Sequence, residues 1–452
     1  MKKLTYICLV TLLSPVLHAK SIDSYVVNDN DFYPRNSSKE ELGKLLMFDK
    51  ILSGNQNISC ASCHHPFTDT GDGLSLPVGE GGQGLGVVRD TGSDSDAIIE
   101  RVPRNAPHLF NVGAKEFNTL FFDGRVKHDV NQVSGFMTPA GNNLPIGLDN
   151  PLAAQAMFPV TSATEMAGQA GENPIANAAS IDNLAGNDGV WNLLAERLRN
   201  NPEYVALFVS AYDDINQASD ITFVHAANAI SAFEAKTARC TNTLFDRYVQ
   251  DDEKTTVSQE VLEGAEIFYN TDKGNCASCH SGPFQTDQKF HAIGVPQIGP
   301  GKGDNLPGYT DGHDDFGLER VTANPADRFK FRTPTLRQIA FTGPWGHDGA
   351  YSDLEAMVRH HLNPVTALNN YTTNNATLIS RPDLNAIDFV AQNDPVRRAA
   401  IEAAIEIEPR DLSDEEITKL MAFLNYGLTD FDCLNLNKDI PARVPSGLPV
   451  AD

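Results

Sequence analysis

Apolar residues recur at helical spacing along most of the chain. Segments 38–48 and 262–269 are alike: each has the pattern of a short amphipathic helix that ends in an aromatic residue, followed by a polar turn. Between them the spacing predicts three further helices, with apolar positions at Trp191, Leu194 and Leu198, at Tyr204, Val205 and Phe208, and at Phe223, Ala227, Ile230 and Phe233. The pattern therefore predicts a mainly α fold with an internal duplication.

Capping boxes predict two helix starts in the second half of the chain. One helix begins at Ser413 and ends at Gly427. The other begins at Ser352 and carries Met357 and His361 on one face. Stretches rich in glycine, asparagine, aspartate and proline predict long irregular loops at 71–100, 127–152 and 296–316.

Two Cys-x-x-Cys-His pentapeptides follow the two similar segments. This spacing attaches a c-type haem covalently through two thioethers, and the histidine becomes the axial ligand of the iron. A zinc or thiol redox site is the alternative, which two copies in an exported chain disfavour. The sequence therefore predicts two covalently attached c-type haems, held by Cys60, Cys63 and His64 and by Cys276, Cys279 and His280.

The chain begins with a pattern typical of a secretory signal. Lys2 and Lys3 precede an apolar run over 4–17, and cleavage is predicted after Ala19, so residues 1–19 form the signal peptide. An uncleaved membrane anchor is the alternative, but the run is shorter than the roughly 20 residues that cross a bilayer. We therefore expect a periplasmic protein without a membrane span in its mature form.

The net charge limits the kinds of binding partner, and the cysteine count limits the possible disulfides. The formal net charge is -24, which disfavours nucleic acid and anionic membrane surfaces as partners. Of the seven cysteines, Cys240 and Cys433 remain outside the haem motifs and the signal peptide. They form either a disulfide or two buried thiols. The haem motifs divide the mature chain into two cytochrome c-like domains in tandem, at 20–245 and 246–452.

Several further motifs resemble one family over nearly all of the mature chain. The motifs comprise both haem pentapeptides in order, the segment 104–107 followed by 121–125, the pair Gln155 and Glu165, and the segments 332–337 and 342–349. Together they resemble the bacterial di-haem cytochrome c peroxidases and the related MauG-type di-haem enzymes.

The resemblance implies roles for individual residues. The first haem is expected to react with peroxide, with Glu165 as acid and base and Gln155 as a hydrogen-bonding partner of peroxide. The second haem is expected to transfer electrons. Its sixth ligand lies fourteen residues after the histidine of the His-Asp-Gly motif, which is His361 here, where the family has Met or Tyr. From spacing alone a histidine such as His361 is more often a core residue than a ligand, and Met357 is a competing ligand. One calcium ion is expected at Asn105, Thr342 and Pro344.

A second departure concerns the first haem. Many relatives block it with a histidine from the following loop, but the chain has no histidine between Pro66 and Pro107. We therefore expect this haem to be open in the oxidised protein, unless His65 or a distant histidine binds it. Whether prior reduction activates the protein stays open.

The resemblance favours a periplasmic enzyme that reduces hydrogen peroxide to water with electrons from a small redox protein, a cytochrome c or a cupredoxin. One alternative is a MauG-type enzyme that oxidises aromatic residues of a partner protein. Another is a non-enzymatic di-haem electron carrier. Relatives are often dimers, so a homodimer is an open alternative.

Overall fold

The computed structural model describes residues 27–250 and 257–451, so the predicted signal peptide lies outside the described residues. Helices dominate, as the sequence predicted. The α-helices are α1 (Ser37–Phe48), α2 (Pro151–Ala156), α3 (Pro174–Ser180), α4 (Val190–Arg199), α5 (Pro202–Ala211), α6 (Phe223–Lys236), α7 (Leu244–Gln250), α8 (Gln259–Tyr269), α9 (Glu319–Thr322), α10 (Leu354–Leu362), α11 (Pro364–Asn370), α12 (Pro382–Asp388), α13 (Val390–Asn393), α14 (Pro395–Ala403) and α15 (Asp414–Ala422).

Strands are short and few. Two small antiparallel sheets have the orders β1-β2-β3 and β4-β5. The strands are β1 (Thr119–Leu120), β2 (Val126–His128), β3 (Phe136–Met137), β4 (Phe290–His291) and β5 (Phe331–Arg332). Within residues 27–250 and 257–451, no helix is long and apolar enough to cross a bilayer.

The helix starts agree with the sequence in one case and differ in the other. Ser413 caps α15 as predicted, since its side chain accepts a hydrogen bond from the Glu416 amide and the reciprocal bond is present. The prediction that Ser352 caps α10 is wrong. Asp353 is the cap, because its carboxylate accepts from the amides of the first turn.

A close crossing of two helices occurs twice. In the first half α1 crosses α6, and a Cβ placed on Gly43 would lie 1.8 Å from the carbonyl oxygen of Ala229. In the second half α8 crosses α15, and a Cβ on Gly264 would lie 1.9 Å from the carbonyl oxygen of Lys419. Only glycine allows such an approach of two backbones. The repeated crossing, each time on the helix before a haem motif, agrees with the predicted duplication.

Each crossing lies in its own hydrophobic core. The first core joins α1 and α6 to α2, α4 and α5, and the second joins α8 and α15 to α7 and the start of α10. The C-terminal segment leaves the second core and packs against the first. Val444 is buried there, the Ser446 hydroxyl donates to Asp49 at 2.6 Å, and Lys50 donates to the carbonyl of Ala451 at 3.1 Å. Residues 444–451 therefore pack against the N-terminal core, although they follow the second half in the chain.

Buried ion pairs join the two halves. Arg104 lies 2.7 Å from Asp123 of its own half and 2.8 Å from Asp315 of the other, and all three side chains are buried. Arg101 and Asp388 form a second pair at 3.1 Å, both completely buried. Removing one partner of such a pair leaves an uncompensated charge in the interior, so these contacts hold the halves in one arrangement.

The predicted loop 71–100 is irregular but well packed. The Arg89 guanidinium is buried and donates hydrogen bonds to the carbonyls of Val78, Gly79 and Gly84. Leu74 and Val78 of the same loop pack against Leu384 of the second half. The loop is therefore part of the contact between the halves.

Cys240 and Cys433 form a disulfide, with their Cα atoms 5.4 Å apart. The bond closes a chain segment of 193 residues between the end of the first half and the C-terminal segment. Of the two alternatives that the sequence left, the structure has the disulfide.

We expect the double variant Cys240→Ser/Cys433→Ser to have a free energy of unfolding about 2 to 5 kcal/mol lower than that of the wild type. The reason is that the disulfide no longer restricts the unfolded chain by closing a long loop. Urea unfolding followed by circular dichroism measures the difference. A reducing agent should lower the midpoint of the wild type to that of the variant and leave the variant unchanged. Equal midpoints for the oxidised wild type and the variant would contradict the expectation.

Candidate functional site

The two Cys-x-x-Cys-His motifs share one local backbone. Each starts with a short 3-10 turn, Cys60–Ser62 and Cys276–Ser278. In both, the histidine amide donates to the carbonyl of the first cysteine, at 3.0 Å for His64 and 2.9 Å for His280. Both cysteines and the histidine of each motif are therefore presented by one compact turn, and none of the four cysteines is in a disulfide.

Backbone carbonyls orient the two motif histidines. The Nδ1 atom of His64 lies 3.1 Å from the oxygen of Thr70, and that of His280 lies 3.1 Å from the oxygen of Gln285. With Nδ1 as the donor, the lone pair is on Nε2, which is then the ligand atom. Burial lowers the pKa of His64 and lowers that of His280 to about 4. Both imidazoles are therefore neutral, the form that binds a metal.

His361 faces His280. The two ring centres are 6.3 Å apart, and the Nδ1 atom of His361 lies 2.9 Å from the carbonyl oxygen of Met357. Its Nε2 therefore also carries the lone pair. Metal–imidazole bonds are about 2 Å long, so two imidazoles on opposite sides of one metal ion have ring centres about 6 Å apart. The separation of the two ring centres is thus compatible with one iron between them, and His361 as its sixth ligand stays a prediction.

The other candidates on α10 have different surroundings. His360 uses both ring nitrogens: Nδ1 lies 3.0 Å from the Tyr351 hydroxyl and Nε2 lies 2.8 Å from the carbonyl oxygen of Ile293. Met357 packs against a small apolar cluster that contains Tyr351. His361 is thus the α10 side chain that the structure brings to His280.

Glu165 and Gln155 come from consecutive elements. Gln155 is half-buried near the end of α2, and Glu165 lies in a wide π-type turn, Ala163–Ala167. The Ser162 hydroxyl accepts from the Glu165 amide at 3.3 Å and so begins this turn. Burial raises the pKa of the Glu165 carboxyl, while the charges of Arg125 and Lys302 oppose the rise.

Sequence reasoning missed Arg125 and Lys302 as neighbours of Glu165. The Arg125 guanidinium lies over the Phe121 ring at 3.5 Å from its centre and donates to Asp123 at 3.1 Å. Lys302 comes from the second half, where its amide donates to the carbonyl of Asp314. Burial, then the charge of Arg125, lowers the pKa of Lys302 to about 8. Arg125 lies in the segment 121–125 that contributed to the family resemblance. The sequence around Lys302 predicted only a glycine-rich loop, so it gave no sign of a role near Glu165.

Two histidines close to the first motif have other contacts. The Nδ1 atom of His65 accepts from the Phe67 amide at 3.1 Å, and its ring packs beside Phe48 and Phe67. His108 lies with Nδ1 2.7 Å from the carbonyl oxygen of Asp69, and burial lowers its pKa to about 4. That the first haem is open in the oxidised protein stays a prediction.

The residues expected to hold calcium lie in two adjoining segments. The backbone amide of buried Asn105 donates to the carbonyl of His347, and its side-chain amide donates to that of Leu74 at 2.9 Å. Thr342 and Pro344 belong to the segment that ends at His347. The calcium ion stays a prediction. In the described part of the chain, a cluster of three potential metal ligands occurs at Cys279, Asp287 and His291, and it includes a haem cysteine.

Comparisons with known proteins indicate the family that the chain resembles. A family model described as di-haem cytochrome c peroxidase matches residues 37–254. Cytochrome-c peroxidase IdrP2 of Denitromonas iodatirespirans is 29% identical over 337 residues, which are 72% of this chain and 73% of the relative. The methylamine utilization protein MauG of Methylorubrum extorquens is 29% identical over 330 residues, 73% of this chain and 70% of the relative.

The fold is also found in a solved structure. The diheme peroxidase BthA of Burkholderia thailandensis superposes with a TM-score of 0.57 at 21% identity, over 94% of each chain. Over residues 37–254 the chain therefore matches the di-haem cytochrome c peroxidase family, and its curated relatives are oxidoreductases named cytochrome-c peroxidase and MauG.

Proposed function

We propose that this protein is a periplasmic peroxidase that reduces one hydrogen peroxide to two water molecules with two electrons and two protons. The observation that carries the proposal is the difference between the two sites. His280 has a second imidazole opposite it, whereas the first half supplies a half-buried carboxylate, Glu165, whose pKa responds to the charges of Arg125 and Lys302. The peroxidase names of relatives support this reaction.

The haems would be held covalently by the four motif cysteines, with His64 and His280 as axial ligands. When bound, the haem irons supply the position where peroxide reacts and the electrons that reduce it. The protein contributes orientation: the carbonyls of Thr70 and Gln285 keep Nε2 of each histidine towards its haem.

Glu165 would move the proton that peroxide cleavage requires. As a carboxylate it accepts a proton from one peroxide oxygen, and as the acid it donates the proton to the departing oxygen, which leaves as water. Its raised pKa brings the two forms closer in free energy at neutral pH. Arg125 and Lys302 favour the ionised form, and the Gln155 amide would donate a hydrogen bond to peroxide.

His361 would close the second site. With protein ligands on both sides, this site exchanges electrons but leaves no position for peroxide. Electrons would enter here from a small donor protein, a cytochrome c or a cupredoxin, and pass to the first site. The buried contacts of Arg104 with Asp123 and Asp315 hold the two halves together during this transfer.

Replacing His361 tests the ligand of the second haem. We expect His361→Met to remove the bis-histidine signature from electron paramagnetic resonance and near-infrared spectra, and to raise the midpoint potential, since methionine stabilises the reduced iron. Met357→Leu is the matched control on the same helix and should leave the spectra unchanged. Spectra altered by Met357→Leu but not by His361→Met would assign the ligand to Met357 instead.

Glu165→Gln should lower kcat/KM for peroxide by about 10² to 10⁴-fold, because the amide cannot relay a proton. In the wild type we expect the rate to rise with pH as Glu165 ionises, at a pH above the ordinary range of a glutamate because its pKa is raised. The rate of the Glu165→Gln variant should not show this rise with pH. Glu196→Gln, an exposed change on α4, is the control. An unchanged pH profile in Glu165→Gln would remove Glu165 from the mechanism.

Mixing the fully oxidised protein with stoichiometric peroxide tests whether the first site is open. We expect a rapid change in the Soret band without prior reduction, because the chain has no histidine between Pro66 and Pro107 that could block the first haem. No change until one electron is added would reveal a hidden ligand. A rapid change without turnover of small donors would favour the second candidate, a MauG-type oxidation of aromatic residues on a partner protein.

A further inference from the structure

Glu234 is a buried acid that the peroxide reaction does not use. It lies near the end of α6 and is 6% exposed. Among residues 27–250 and 257–451 its Oε2 atom has no hydrogen-bond partner. Burial alone raises its pKa to about 8, since no neighbouring charge offsets the loss of solvent. Burying an ionisable group with an unpartnered oxygen is costly in a protein interior, which suggests that this acid has a function.

The second half has no acid at the equivalent position. The glycine crossings align Ala229 of α6 with Lys419 of α15, because each supplies the carbonyl that the glycine approaches. Four residues on, Phe233 then matches Phe423, and Glu234 matches Leu424, which is 5% exposed. The same site in the fold is therefore apolar in one half and ionisable in the other.

Glu234 lies between Phe233 and Ala235 of α6, which belong to the same hydrophobic core that Cys60 of the first motif packs against. After burial, its negative charge is the largest influence that raises the pKa of the Cys60 thiol. The corresponding thiol of Cys276 is influenced by Cys279 and Arg410 and by no carboxylate. With Cys60 as a haem attachment point, the acid lies beside the first haem only.

The charged groups on the helices that pack against α6 are engaged elsewhere. On α1, Glu40 pairs with Arg35, Glu41 with Lys44, and Lys39 with Asp149. On α4, Arg197 and Arg199 donate to backbone carbonyls and Glu196 meets Asn192. Lys236 of α6 itself pairs with Asp439. On the haem side, the Cys60 thiol is influenced by the charges of both Glu234 and Glu165, and His64 belongs to the same turn as Cys60.

We propose that Glu234 takes up one proton when the first haem takes up one electron, and releases it to solvent on reoxidation. Oxidised iron carries one more positive charge than reduced iron, so it favours the Glu234 carboxylate, and the reduced iron favours the neutral acid. The electron comes from any one-electron donor and the proton from water. The inference rests on haem binding at Cys60, as the proposed function does, but not on the reaction with peroxide.

Spectroelectrochemical titration of both haems over a pH series tests the coupling. In the wild type, the potential of the first haem should fall as pH rises around the Glu234 pKa of about 8. If one proton accompanies each electron, the equilibrium constant for reduction changes tenfold per pH unit. The midpoint potential then falls by about 59 mV per pH unit for this one-electron couple. Glu234→Gln and Glu234→Leu, the latter copying the second half, should both remove this slope.

Leu424→Met is the matched control at the equivalent position of the second half and should keep the slope of the first haem. If Glu234→Leu does not retain haem, Glu234→Gln, which has nearly the same shape, decides. A slope that survives in Glu234→Gln would assign the proton to another group, such as a haem propionate, and overturn the proposal. Peroxide turnover of the same samples is a separate readout, so failure of the peroxidase proposal would be recognised independently.

Discussion

Both sites depend on hydrogen bonds that fix the orientation of an imidazole ring. His64, His280 and His361 each direct Nδ1 to one backbone carbonyl, at 3.1, 3.1 and 2.9 Å. Each bond selects the tautomer and turns Nε2 away from the carbonyl. Burial lowers the pKa of each ring and so favours its neutral form. With Nδ1 hydrogen-bonded, the Nε2 atom of each ring is left to bind a metal. These carbonyls belong to turns or to the helix itself, so the local backbone prepares the ligand geometry.

The contact between the halves determines the surroundings of the first site. Buried Arg104 binds carboxylates of both halves, and Arg101 with Asp388 adds a second buried pair. Ion pairs of this kind add little net stability, but a displaced charge would remain uncompensated, so they favour one arrangement. In that arrangement the charge of Lys302 favours the ionised form of Glu165. A residue far along the chain thereby helps to set the protonation of the acid in the other half.

Duplication has produced one scaffold with two chemical environments. The same glycine crossing supports both haem motifs, yet three positions differ in a consistent way. The second half has His361 opposite its motif histidine and Leu424 in its core, and the first half has Glu165 and Glu234. Acids next to the first motif suit a site that moves protons, whereas a second imidazole and an apolar neighbour suit a site that only exchanges electrons.

The sequence alone predicted the helices and the two haem motifs, because helical periodicity and ligand spacing are local properties of the chain, and its motifs carried the resemblance to di-haem peroxidases. It could not show that His361 of α10 lies beside His280, nor choose between Ser352 and Asp353 as the cap, since both residue types cap helices well. It also left the Cys240–Cys433 bond open and missed Lys302. Tertiary structure decided these points, because each depends on the distance between residues that are far apart in the chain or on which side chain reaches a backbone amide.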